Sequence, residues 1–253
     1  MKFRQWIAGM AVAVGMGVGS AHSAIVDLGF ALDRSGSVGS ANWASVVNGL
    51  ANALAVIPTA GPNQYRIAVS SFSSAATLDL APTIVTAGNL AGLQATIQGI
   101  GYSGGTTCIS CAATILSNAY TAAGGFGDVS LLNITTDGVP NVGVTNGTTL
   151  RGTLVGDGWD SISAEAVGSF NLSFLQALVY PNPGVTTNNP AALPNPLVQG
   201  FVLTVNNFAA YEAAITAKVQ RIVDTQVPTP GTLSLVALSL LSLGLVTRRR
   251  RSA

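Results

Sequence analysis

The chain has 253 residues and a mass of 25.5 kDa; 48% of it is hydrophobic and only 8% charged, against roughly a quarter charged in an ordinary soluble domain. With residues 1–23 and the C-terminal arginines set aside, five basic residues (Arg34, Arg66, Arg151, Lys218 and Arg221) face ten acidic ones, a charge near −5; no basic patch remains to hold a phosphate backbone, and nucleic acid is excluded as a partner. The single histidine, His22, lies in the N-terminal segment, which removes Ser-His-Asp and Cys-His catalysis and His-ligated zinc from the rest.

In chain order, residues 1–23 place Lys2 and Arg4 before an apolar core and end on Ala21 and Ser23, small residues suited to a cleavage site. This pattern predicts a secretory signal peptide; the apolar run is short for a membrane anchor. From there to residue 223, short apolar runs alternate with helical periodicity. Residues 24–32 read as a buried strand and 43–57 as a helix. Residues 65–74 read as a second strand, with 76–83 as its antiparallel edge partner. Helices are expected at 87–100 and 108–123, and a strand at 128–136 that ends in the turn "DGVPN". Residues 160–170 read as a helix and 172–180 as a strand. A Pro/Asn-rich surface excursion over 181–197 precedes a strand at 200–205 and a helix at 208–223. Strands alternating with helices predict an α/β fold: a doubly wound, mostly parallel sheet with helices on both faces. Residues 224–230 read as a linker. Residues 231–253 hold an apolar stretch, Gly231 to Val246, followed by Arg248 to Arg251. With only Ser and Thr for a polar face, this stretch predicts a short transmembrane helix with a cytoplasmic basic end.

In a sheet of this kind ligands gather at the carboxyl ends of the strands. Three segments bring oxygen-bearing side chains there: Asp33, Ser35 and Ser37 in "DRSGS", Thr106 and Thr107 in "GGTT", and Asp137 in "TTDG". Each alone reads equally as a turn or a helix cap; in this order, at strand-to-helix crossings, they point to one hard divalent cation with oxygen ligands. Here the sequence resembles the von Willebrand factor type A domain and its metal-ion-dependent adhesion site, over roughly residues 24–223. The resemblance implies that Mg²⁺ or Mn²⁺ is held by Asp33, Ser35, Ser37, Thr106 and Asp137, with Thr107 as the alternative to Thr106, and that the ion holds a carboxylate of an extracellular or envelope protein or polysaccharide. The tail beginning Val227-Pro228-Thr229-Pro230 resembles a PEP-CTERM sorting signal, with Thr229 where that family usually has Glu. That resemblance implies export, transient residence in the inner membrane, cutting by an exosortase, and release to the cell surface or a biofilm matrix.

Cys108 and Cys111 are read as a disulfide in an exported chain, with reduced thiols and Cys-x-x-Cys redox chemistry as the competing readings. Asp157 and Asp160 read either as a second cation loop or as a helix N-terminus capped by Asp160. Trp43 and Trp159 read as packing residues, with an exposed contact role for Trp159 as the alternative. Catalysis is disfavoured: Ser37 lacks a Gly-x-Ser-x-Gly elbow and a base, and Glu165 is the one candidate base for a metal hydrolase. The sequence therefore predicts a binding or adhesion module rather than an enzyme, with a structural surface protein as the alternative.

Overall fold

A computed structural model of the chain describes residues 23–226. Seven strands form one sheet in the order β3-β2-β1-β4-β5-β7-β6. They are β1 (Ala24–Asp33), β2 (Asn63–Phe72), β3 (Ala76–Ile84), β4 (Val129–Thr136), β5 (Ser161–Val167), β6 (Val185–Thr187) and β7 (Phe201–Val205). Every pairing is parallel except that of β2 with β3, the two-residue-period hairpin expected at 65–83. The crossovers supply helices α1 (Gly39–Ala53), α2 (Leu90–Gln98), α3 (Ile109–Ala122), α4 (Gly147–Asp157), α5 (Leu172–Leu178) and α6 (Tyr211–Gln226).

Because a parallel sheet is covered on both faces, its strands are apolar throughout. The period of two then assigns each side chain to a layer. On β1, Val26, Leu28, Phe30 and Leu32 pack with α1, α2 and α6. Gly29 and Ala31 face the layer of α3, α4 and α5. Gly29 is required there: a Cβ would stand 2.5 Å from the Trp159 ring. Trp159 is 1% exposed, and its indole N–H donates to Ser117 Oγ. Trp43 is likewise buried and donates to the Ile100 carbonyl. Both are packing residues, and no exposed contact role for Trp159 stands.

Two elements reverse the expectation. Residues 161–167 are a central strand, every residue buried, although Ala and Glu in "SISAEAV" carry helical propensity. Burial on both faces overrides that preference. Residues 172–178 are a helix because Asn171 Oδ1 accepts from the Phe174 amide and so supplies the N-cap. Helix α4 has a Gly/Thr-rich sequence that predicts little; it starts on Asn146, whose side chain accepts from Thr149 N, and stops at Gly158 with φ 117°. Asp157 thus ends a helix, and Asp160 caps none: its carboxylate accepts from Ser130 N and Oγ beside the start of β5. The 181–197 excursion contains β6, a short parallel edge strand on β7.

Both described ends of the chain lie at one pole. Ala24, the first residue of β1, pairs with Asn63, and the Asn63 side chain donates to the main-chain carbonyl of Gln226, the last residue of α6. Among the described residues no helix is long and apolar enough to cross a membrane. The signal peptide expected over 1–23, except Ser23, and the transmembrane segment expected over 231–253 lie outside the described residues.

Candidate metal centre

At the opposite pole, the loops after β1, β2 and β4 meet the α2–α3 connection, and main-chain bonds tie the β1 loop to the end of β2 and to that connection. Arg34 N donates to Phe72 O, Gly36 N to Gly105 O, and Gly104 N to Arg34 O. Gly104 and Gly105 have φ of 69° and 103°, a left-handed stretch that a side chain would strain. The turn brings residues 106–108 back along the loop after β2, where Cys108 N donates to Ser73 O.

The oxygen-bearing side chains meet between these loops. Asp33, 1% exposed, accepts from Ser35 N at Oδ1 (2.9 Å) and from Thr136 Oγ1 at Oδ2 (2.7 Å). Ser35 Oγ and Ser37 Oγ share a hydrogen bond of 3.1 Å. Ser37 Oγ in turn donates to Asp137 Oδ1 at 2.6 Å. The cluster runs from buried Asp33 and Ser35 to exposed Ser37, so its outer side is open to a ligand.

Of the two threonines, Thr107 is the one at the cluster, which corrects the preference for Thr106. Thr107 is 4% exposed. A Cβ on Gly138 would stand 2.9 Å from Thr107 Oγ1 and 3.5 Å from Asp33 Oδ2, so the two oxygens flank one point. Thr106 is exposed and turned outward, with both its amide and its hydroxyl donating to Ser74 Oγ. The choice is made by Asn141, whose Oδ1 accepts from Thr107 N at 2.8 Å, while the Asn141 and Val142 amides donate to Thr107 O. Asn141 and Thr136 hold the cluster in shape, and both were missed as site residues. The only sequence signal was their position within the "TTDGVPN" turn.

Cys108 and Cys111 are bridged, with Cα atoms 5.4 Å apart. The bridge closes the first turn of α3 immediately after Thr107.

The charge balance is the chemically telling feature. Burial pushes Asp33 up to about 6, against the pull of its Ser35 and Thr136 hydrogen bonds, and the charge of Asp137 adds to the rise. Burial also raises Asp137, opposed by Ser37. Among the described residues the ion pairs are Arg66–Asp27 and Lys218–Glu165, so no cationic side chain faces Asp33 or Asp137. The neighbouring Arg34 folds away, donating to Gly101 O and Thr77 Oγ1. Two carboxylates and three hydroxyls, partly desolvated and without a counter-charge, are a donor set that fits a hard divalent cation. No group of three or more His, Cys, Asp or Glu side chains is placed to hold a metal among the described residues; a softer ion therefore has no alternative cage there.

Glu165 is not part of this centre and cannot act as a general base in it. Its carboxylate is fully buried, accepts from Thr135 Oγ1, and meets the Lys218 ammonium, which is also fully buried. Burial raises Glu165 and lowers Lys218, each opposed by the other's charge.

Residues 27–151 match the sequence profile of the von Willebrand factor type A domain. Among solved structures, proximal thread matrix protein 1 from the mussel byssus superposes with a TM-score of 0.61 at 18% identity, covering 79% of this chain and 46% of that one. A form of that protein described as having a zinc-occupied metal-ion-dependent adhesion site motif gives 0.56 at 19%, covering 78% and 46%. The pilus adhesin SpaC of Lactobacillus rhamnosus GG gives 0.57 at 14%, covering 79% of this chain and 31% of that one. The chain thus spans less than half the length of each. The sequence matches no curated protein.

Proposed function

We propose that this chain, whose residues 27–151 match the von Willebrand factor type A profile, is a metal-dependent binding module that takes hold of an acidic group on a partner. The observation that carries the reading is the pair Asp33 and Asp137, brought to one hydroxyl-lined cluster with no cationic side chain opposite. Asp33, Ser35, Ser37, Thr107 and Asp137 would hold Mg²⁺ or Mn²⁺. A bound divalent ion supplies an electrophilic position that a carboxylate oxygen can fill, because five donors leave the sixth place of its shell open and three of the five are weakly donating neutral hydroxyls. The protein's part is to orient. Thr136 and the Ser35 amide fix the Asp33 carboxylate, Asn141 fixes Thr107, and Ser37 spans the gap to Asp137.

A binding role is supported over catalysis, since among the described residues the pole offers no candidate base beyond the ligands themselves and Glu165 is locked in the core. The likeness to a byssal matrix protein and a pilus adhesin supports use at a surface or in a matrix. The N-terminal segment and the Arg-ended apolar tail support export, exosortase processing and transient anchoring in the inner membrane. The deciding experiment is a thermal melt of the full chain with Mg²⁺ or Mn²⁺. We expect an upward shift that vanishes in Asp33→Ala; a wild type indifferent to both ions would end this reading.

A further inference from the structure

A concave site of different chemistry lies at the other end of the sheet, where β4 and β5 begin. It is a cavity of about 480 Å³ walled by the half-buried Val129, Val155, Tyr180 and Leu197 and by two exposed carboxylates, Asp128 and Asp160. The two acids are held alike. Asp128 Oδ2 accepts from the Ile25 amide at 2.8 Å, and Asp160 Oδ2 accepts from Ser130 N at 2.9 Å and Ser130 Oγ at 3.0 Å. One oxygen of each is thus fixed by the first residues of β1 or β4, while Oδ1 of each has no protein donor among the described residues. Because Asp160 is bonded to Ser130, two positions on from Asp128, the carboxylates stand side by side. The carboxyl end of α4 reaches the same cavity through Val155 and Gly158, and a helix end of that sense favours positive charge. No cation of the described chain answers this. Arg66 and Lys218 are paired with Asp27 and Glu165, and Arg34, Arg151 and Arg221 donate to the carbonyls of Gly101, Ala177 and Pro194.

We propose that this cavity is a docking site for an arginine side chain of a partner polypeptide, the guanidinium bridging Asp128 and Asp160 and its stem lying along the apolar wall. Charge complementarity names the occupant. A planar guanidinium has donors enough for two carboxylates at once, and its face and methylene stem suit aliphatic and aromatic surroundings. A divalent cation fits less well. Only two carboxylates meet here, each with one oxygen already spent, and no group of three or more His, Cys, Asp or Glu is placed to hold a metal among the described residues. The inference stands apart from the metal-dependent reading, since none of the lining residues belongs to the Asp33 cluster. With both sites occupied, the domain holds an acidic group at one pole and a basic group at the other, and so joins two partners.

The test uses the full chain and measures binding of Nα-acetyl-arginine methylamide by ligand-observed NMR, with the citrulline analogue, matched in shape but uncharged, as its control. The arginine compound should bind about tenfold tighter than the citrulline compound, with or without Mg²⁺. Asp128→Asn/Asp160→Asn keeps an oxygen for the Ile25 and Ser130 donors while removing both charges. It should melt as the parent does, in Mg²⁺ and in EDTA, and lose the arginine preference. Each single substitution should already weaken arginine binding severalfold, which reads the site even where the double variant fails to fold. Equal binding of the two compounds, no binding of either, or a preference that survives these substitutions overturns the proposal and leaves the metal reading standing. Absence of any Mg²⁺ shift in the wild type ends the metal reading and leaves this one standing.

Discussion

Ser37 Oγ donates to Asp137 Oδ1 across 2.6 Å, joining side chains a hundred positions apart and closing the cluster before any ion is considered. A hydrogen bond to a carboxylate in a part-buried position contributes about 1.5–3 kcal/mol. Ser37→Ala should therefore destabilise the metal-free protein by about that amount in urea unfolding, and should also lower Mg²⁺ affinity. A variant as stable as the parent would mean that the two loops are held by their main-chain bonds alone.

The two adjacent threonines give a sharp contrast. Thr107→Ala should weaken Mg²⁺ binding by about tenfold or more, since it removes an oxygen from the donor set. Thr106→Ala should change it by less than about twofold. Titrating Mg²⁺ against melting temperature in the two variants separates them. Reversed effects would restore Thr106 as the ligand.

Acid should release the ion. Binding needs Asp33 ionised, and burial has raised that group to about 6, so lowering pH from 7.5 to 5 should reduce apparent Mg²⁺ affinity by about tenfold or more. The stability of the metal-free protein runs the other way. An acid that binds its proton more tightly when folded destabilises the fold as pH rises from its unfolded value near 4 through about 6, by up to about 3 kcal/mol. Melting scans with EDTA and with Mg²⁺ should therefore slope in opposite directions over this window.

The buried pair of Glu165 and Lys218 makes a different prediction. Lys218→Met leaves a carboxylate in the core without its partner and should remove about 3–5 kcal/mol of stability. The double variant Glu165→Leu/Lys218→Met should recover most of that loss. Urea unfolding of the singles and the double measures the coupling. A double variant no better than the single would show that the damage is in packing.

The disulfide closes only a short loop, so its effect on chain entropy is modest, about 2 kcal/mol. Cys108→Ser/Cys111→Ser should lower the melting temperature by that equivalent and, because the bridge sits one residue after Thr107, should weaken Mg²⁺ binding more than its stability loss alone explains. Unchanged Mg²⁺ affinity would confine the bridge to a stabilising role.

The parts of the site legible in the sequence are those encoded locally. Asp33, Ser35 and Ser37 are spaced by two where a buried strand surfaces, and Asp137 closes another strand in an Asp-Gly turn. The choice between Thr106 and Thr107 was not legible. It is made by Asn141 and Ser74, each more than thirty residues away, and by a double-glycine turn whose sense no pattern reports. The reading of 161–178 failed for a related reason. Residues 161–167 look helical because Ala and Glu carry helical propensity, while the partner that lets Glu165 lie in a buried strand, Lys218, is supplied only by the tertiary fold. The short stretch after them owes its helix to a single cap, Asn171. The sheet itself was readable because alternating apolar runs carry the layer assignment of β1, β2, β4 and β7 without help from distant residues.

Ala24 and Gln226 meet around Asn63 at one pole, while the Asp33 cluster lies at the other. A partner pulling on the cluster against a tether at Gln226 would load the domain along its strands. Strand β1, which ends in Asp33, is laddered in parallel to β2 and to β4. Its hydrogen bonds on both sides would bear that tension together, in shear, rather than opening one after another from a frayed end.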